Sequence, residues 1–377
     1  MSRDWESQID RLAVFVADYL RHRDQDDELG ARERTRAWIE QFPAAVRYDV
    51  LTQLASTLER TYVWERDITE FLEGQVGRPA FWGRTFLCHG ARQGQSHAWA
   101  TAVVEDSVKR NHGDDAVNPA GVDWRSSLSH LFIDDAVFSG GRVRDDYCAL
   151  WDRKQSDTWT PRTPEDGPLD IIILHYVTHT AARGDFATWA DTRLRKRGFD
   201  VQVRWVSSPE HRYQDLPFAS ARSDVLWPLE LTPAALESDR FTSIGHTLRR
   251  ELTSRAEAGS KVFPDPAARR TLESALLDAG MDILGRMSKR WPPLGFAGDR
   301  IQDRPLGFGT LAVSFRNCPN NAPLALWWDT QDWIPLFPRR TYAAARPIAP
   351  PAPKSFLPPH LRTDDVPSDR RAMSMRS

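Results

Sequence analysis

Asp134 and Asp135 are adjacent carboxylates that end the apolar run Leu131-Phe132-Ile133, and Ala136-Val137-Phe138 leads from them to Ser139-Gly140-Gly141 and Arg142. Carboxylates are acceptors, so this pair can take hydrogen bonds from a sugar diol or hold Mg²⁺ through water. The glycines allow a tight backbone turn whose N–H groups face inward. Val143, Tyr147, Leu150 and Trp151 then recur at helical spacing. A helix starting there places its positive end behind the loop, which suits a phosphate held by Ser139, Gly140 and Gly141. The competing reading is a plain strand–glycine–helix turn that binds nothing.

The elements that must carry these residues are legible. Leu131–Ile133 reads as a buried parallel strand. Residues 84–90, Arg84-Thr85-Phe86-Leu87-Cys88-His89-Gly90, read as a first core strand, and a helix is expected from about 97 to 109, with Ser96 as its N-cap. Asp170-Ile171-Ile172-Ile173-Leu174-His175-Tyr176-Val177 is a clear buried strand, followed by a helix near 183–197 and a strand at 200–207. A short further strand is expected at 223–228. Alternation of strands and helices predicts an α/β fold with a Rossmann-like parallel sheet. His175 and His179 stand four apart, but along a strand that is about 13 Å, too far for one metal ion.

Around this core the pattern is helical. Residues 4–21, 31–41, 44–60 and 64–75 repeat apolar positions at three and four, so residues 1–77 form a helical N-terminal region. The α/β core spans 78–230. Residues 231–345 form a C-terminal extension of helix and strand, packed on the core, with Leu272, Ala275, Leu276, Ala279 and Ile283 as one inward stripe and a glycine-started strand at 306–316. Residues 346–377 are proline-rich with almost no apolar pattern and read as a disordered tail. Asn320 and Asn321 precede a Trp-rich stretch; their amides and the indoles can serve the base side of a ligand, or simply form an Asx turn beside packed aromatics.

Bulk properties exclude several classes. Fifty basic against fifty-two acidic residues leave a net charge of −2, so no global field draws the chain to nucleic acid. No stretch reaches the length of a membrane span, and the first residues lack the apolar run of a signal peptide. Three widely separated cysteines fit a reducing cytoplasm better than a disulfide framework.

The segment Leu131–Val143 resembles the PRPP-binding signature of type I phosphoribosyltransferases: an apolar strand, two acidic residues, then Thr/Ser-Gly-Gly-Thr/Ser. The resemblance implies that Asp134 and Asp135 orient the ribose, that Ser139, Gly140 and Gly141 grip the 5′-phosphate, and that Mg²⁺ is the cofactor. Arg142 departs from the usual hydroxyl residue, although a guanidinium can also meet a phosphate. In that family a loop after an early strand cradles the pyrophosphate, and Gly90, Arg92, Gly94 and Ser96 are the matching candidates. Ser223–Pro228 and Arg316–Trp328 narrow the likeness. Together with the central motif they are similar to the bacterial phosphoribosyltransferase-like effectors called PRTase-CE, linked to anti-phage conflict systems. Gly94-Gln95-Ser96-His97 is similar to their early Gly-x-Ser-Gln element, with His97 in place of Gln.

The resemblance implies an effector that binds Mg-PRPP, a related ribose phosphate or a nucleotide, and that meets defence-system partner proteins. It implies a phosphoribosyltransferase, a transferase of pentosyl groups, if turnover is retained. Two alternatives stay open: a catalytically inactive nucleotide sensor, and a defence scaffold acting through protein contacts.

Overall fold

A computed structural model describes residues 3–22, 29–76, 85–88, 96–116, 127–138, 140–154, 167–179, 182–197, 199–213, 226, 232–233, 262–263, 265–286, 310–319, 322–329 and 332–339. These residues all belong to one compact unit, Met1–Arg340. The expected tail at 346–377 and almost all of the expected strand at 223–228 lie outside the described residues.

Four helices come first: α1 (Arg3–Arg21), α2 (Ala31–Glu40), α3 (Arg47–Thr61) and α4 (Glu65–Val76). Each forms because its apolar residues return every three or four positions and can be buried together. Ile9, Leu12, Val16 and Tyr19 do this on α1, and Ile68, Leu72 and Val76 on α4. Acidic residues open α1 and Arg21 closes it, in line with the helix dipole.

The parallel sheet follows. Strands β1 (Thr85–Leu87), β2 (Ser129–Val137), β3 (Leu169–His179) and β4 (Val201–Ser207) lie side by side in chain order. A two-residue strand, β5 (Arg212–Tyr213), pairs with the C-terminal end of β3 beyond the reach of β4. Helices α5 (Ser96–His112), α6 (Gly141–Lys154) and α7 (Ala182–Arg193) connect successive strands, as parallel pairing demands. β3 is buried on both faces, which is why its sequence is a continuous apolar run instead of an alternation.

On one face Phe132, Ile171, Ile173 and Val201 pack with Val143 and Tyr147 of α6 and Phe186 and Ala190 of α7. A hydrogen bond between His130 and Tyr147 ties β2 to α6 within this layer. The opposite face is covered by α4, whose Phe71 meets Tyr176 of β3 edge-on, and by α5, which packs on both α4 and β2. α5 runs three residues further than the expected helix, and Arg110 in its last turn pairs with Glu73 of α4.

Helix α8 (Pro266–Arg286) buries the expected stripe Leu272, Ala275, Leu276, Ala279 and Ile283, and packs against α3. The described residues of 310–319, 322–329 and 332–339, with the single turn α9 (Leu324–Trp327), complete the core of the N-terminal helices. The Trp38 indole donates to the Ala325 carbonyl at 2.8 Å, and Arg34 donates to the Pro335 carbonyl at 2.9 Å. Val63 N–H donates to Val313, and Phe315 N–H returns a bond to Val63. In place of the strand expected at 306–316, the described part (310–316) makes isolated bridges at Ser314. Its neighbours there are a loop residue, Val63, and its own turn, so no ladder extends. No helix among the described residues is long and apolar enough to cross a membrane.

Candidate functional site

The chemistry expected of Asp134 and Asp135 depends on where β2 stops. The strand runs on to Val137, so both carboxylates sit inside it, not at its end, and each is only 1 % exposed. Neighbouring residues of a strand send their Cβ atoms to opposite faces. Asp134 shares a face with Phe132, and Asp135 shares one with Ile133.

On the β1 side the ladder reaches its last described bond where Cys88 N–H donates to Leu131 C=O at 2.8 Å. Further along that edge, the Ile133 carbonyl accepts from Nδ1 of His97 at 3.0 Å. The Asp135 N–H donates to the carboxylate of Asp134 at 2.9 Å. Asp134 thus folds back along its own strand and satisfies a backbone group that a longer β1 would have taken. Both carboxylate oxygens of Asp135 are buried and receive no N–H or hydroxyl from the protein; the neighbouring group that can offer them a proton is the raised Asp134 carboxyl.

Burial raises the Asp134 carboxyl well above the usual carboxylate range; Arg142 pulls it back, and repulsion from Asp135 adds to the rise. The Arg142 guanidinium lies 3.9 Å from the Asp134 carboxylate, and its own charge is reinforced by that neighbour. The Arg142 side chain is 43 % exposed, so the cation reaches solvent while the anion does not.

Gly140 takes φ +70°, a conformation that L side chains adopt only with strain, and this turns the chain into α6 at Gly141. The Gly140 carbonyl accepts the first helical bond, from Arg144 N–H at 3.0 Å. Asp134, Asp135, Gly140, Gly141 and Arg142 are therefore brought together by one strand–turn–helix, at the C-terminal edge where open α/β sheets bind ligands.

Ser139 lies outside the described residues, as do Gly90, Arg92 and Gly94 of the second loop and Asn320 and Asn321. Ser96 is described as the first residue of α5. The Trp side chains near the asparagines are core residues: Trp327 is fully buried and its indole donates to the Ala322 carbonyl.

In the sequence His97 stands out only as a departure from the Gly-x-Ser-Gln element. The structure places it against β2 just before the carboxylates, bonded to the Ile133 carbonyl and stacked on Phe132 at 5.1 Å with the rings 12° apart. A histidine in the first turn after a core strand was the available signal. His175 and His179 sit in the middle and at the end of β3, both fully buried, and burial pushes His179 down to about 4.

Among the described residues no three His, Cys, Asp or Glu side chains converge as a metal cage. The donor set at the site still fits Mg²⁺, an ion that keeps most of its water and needs only one or two carboxylates. Asp134 and Asp135 are the residues that would hold its water shell.

No curated protein and no solved structure matches the chain. A family model does, over residues 35–339, which starts within α2 and takes in the later helices, the whole sheet, the Asp-Asp turn and the segment around α9. The chain belongs to the PRTase-CE family and is a phosphoribosyltransferase-like protein.

Proposed function

We propose that the edge of β2 and the turn into α6 bind a ribose phosphate, PRPP or a nucleotide together with Mg²⁺, and that the protein is a phosphoribosyltransferase-like effector of bacterial anti-phage defence. The observation that carries the binding reading is Asp135. A buried carboxylate that receives no N–H, hydroxyl or cationic donor from outside the acid pair is costly unless a ligand supplies the donors. Ribose hydroxyls and metal-bound water both donate. The phosphate then falls at Ser139–Arg142, where Gly140 shapes the turn and the start of α6 supplies N–H groups and a partial positive charge. Arg142 adds a guanidinium that is already exposed and can pair a phosphate oxygen. The second loop, Gly90–Ser96, is proposed for the pyrophosphate, and Asn320 with Asn321 for the base side.

In such chemistry the bond from C1′ to pyrophosphate breaks with oxocarbenium character. Mg²⁺, when bound, supplies charge for the departing pyrophosphate. The chain's own residues orient the sugar and hold its phosphate, which is catalysis by positioning. The defence role rests on family likeness alone.

A second reading is a sensor that binds without turnover. It is favoured by Arg142, which stands where transferases carry a hydroxyl and pairs with Asp134. Calorimetry with PRPP, ribose 5-phosphate and AMP in Mg²⁺ tests binding, and release of pyrophosphate from PRPP separates enzyme from sensor. No heat with any of the three, on folded protein, overturns the binding reading. Loss of phage protection in a strain carrying Asp134→Asn with Asp135→Asn tests the defence role.

A further inference from the structure

We propose that His97 is a ligand-binding residue of this site, its Nε2 accepting a hydrogen bond from a hydroxyl of the bound sugar; this rests on the ribose phosphate reading above. Four observations carry it. First, Nδ1 of His97 faces the Ile133 carbonyl at 3.0 Å, and a carbonyl only accepts. Nδ1 must therefore carry the hydrogen, which in the neutral imidazole leaves Nε2 as an acceptor. Second, the ring cannot turn to exchange these roles freely, because it is stacked on Phe132 and only 1 % exposed. Third, Nε2 is buried and has no hydrogen-bond partner in the protein. Fourth, two further buried side chains along β2 and α5 share this lack.

Asp135 is two residues beyond Ile133 along the same edge of β2, about 7 Å along the strand, and neither of its buried oxygens receives a donor from outside the acid pair. Thr101, one helical turn after His97 on α5, is buried with its hydroxyl unpartnered as well. A carboxylate and an imidazole acceptor present two surfaces that only receive hydrogens. Their common complement is a neutral group rich in donors, such as a polyhydroxylated sugar. A second phosphate would meet lone pairs at both.

The bland role for His97 is to cap Ile133 where β1 has ended. Two substitutions separate the roles. His97→Asn keeps an N–H donor near Nδ1 and removes the distal acceptor. His97→Gln places an amide near Nε2 and gives up the Nδ1 position.

The experiment is calorimetry at pH 8 with ribose 5-phosphate and PRPP in Mg²⁺ on wild type and both variants, with melting temperatures alongside. The expected result is unchanged melting for His97→Asn with affinity lower by about tenfold, the loss of one hydrogen bond. His97→Gln is expected to stay within about threefold of wild type. In ¹⁵N-histidine-labelled protein, the Nε2 resonance of His97 should also shift on ligand addition. Wild-type affinity in His97→Asn, or an unmoved Nε2 resonance in a ligand-saturated sample, overturns the inference and leaves the ribose phosphate reading standing. Lost affinity in both variants together with lower melting in both also overturns it, in favour of the structural cap. No heat with either ligand on wild type overturns both readings together.

Discussion

Arg142 holds its guanidinium 3.9 Å from the carboxylate of Asp134, and the two differ sharply in exposure, 43 % against 2 %. The cation is hydrated and the anion is not. The pair is therefore a buried acid steadied by a surface cation, and its consequences appear on the acid.

Burial raises the Asp134 carboxyl, so the folded chain keeps its proton over a pH range where the unfolded chain has released it. The associated stability is full below about pH 4 and is lost as pH rises through the folded value. Asp134→Asn removes that loss. The variant should melt higher than wild type at pH 7 and converge with it near pH 3, as followed by thermal denaturation, while ligand binding and any cellular effect disappear. Equal melting at both pH values, or full activity, contradicts the assignment.

His179 works in the opposite sense. Its folded value is about 4 because it is buried, against roughly 6.5 in an unfolded chain. Both states are neutral above that range, so stability is flat there. Between about 6.5 and 4 only the unfolded chain takes the proton, and folding should lose up to about 3 kcal/mol. Urea unfolding at pH 7.5 and pH 5 measures the slope, and His179→Gln should flatten it.

Tyr19, Arg34 and Trp38 each donate to carbonyls of residues 325–338. A chain ending at residue 320 strips those partners and α9 from the helical core, and should lose its cooperative melting. A chain ending at residue 345 keeps them and should melt close to wild type. Trp38→Phe keeps a ring but leaves the Ala325 carbonyl one donor short, for a loss of about 1 kcal/mol by chemical denaturation.

Arg269 and Glu273 form an ion pair at 2.8 Å within α8, and their side chains are 5 % and 1 % exposed. Glu273→Leu alone removes the carboxylate from a buried cation and should cost roughly 3–5 kcal/mol. Arg269→Met combined with Glu273→Leu should recover most of it. A double-mutant cycle by urea denaturation reads the coupling directly.

The sequence by itself determined whatever depends on near neighbours. Ile171–Ile173 reads as a doubly buried strand because a strand covered on both faces needs no polar alternation. The helices show because 3.6-residue periodicity is a local property, and α1, α3 and the stripe on α8 follow it residue by residue. Asp134, Asp135, Gly140 and Arg142 come together through one turn, so their proximity was legible as chain order. Only the tertiary structure decided what covers what. His97 takes the Ile133 carbonyl on the edge of β2, past the last described bond of β1 at Cys88. Tyr19 reaches the Pro338 carbonyl across 319 residues at 2.8 Å. The Trp side chains around residue 327 became the core of distant helices. Spacing along a chain records which residues share a face, but not which remote face meets it. That choice is made by shape and hydrogen-bond complementarity between surfaces that exist only once the elements have folded.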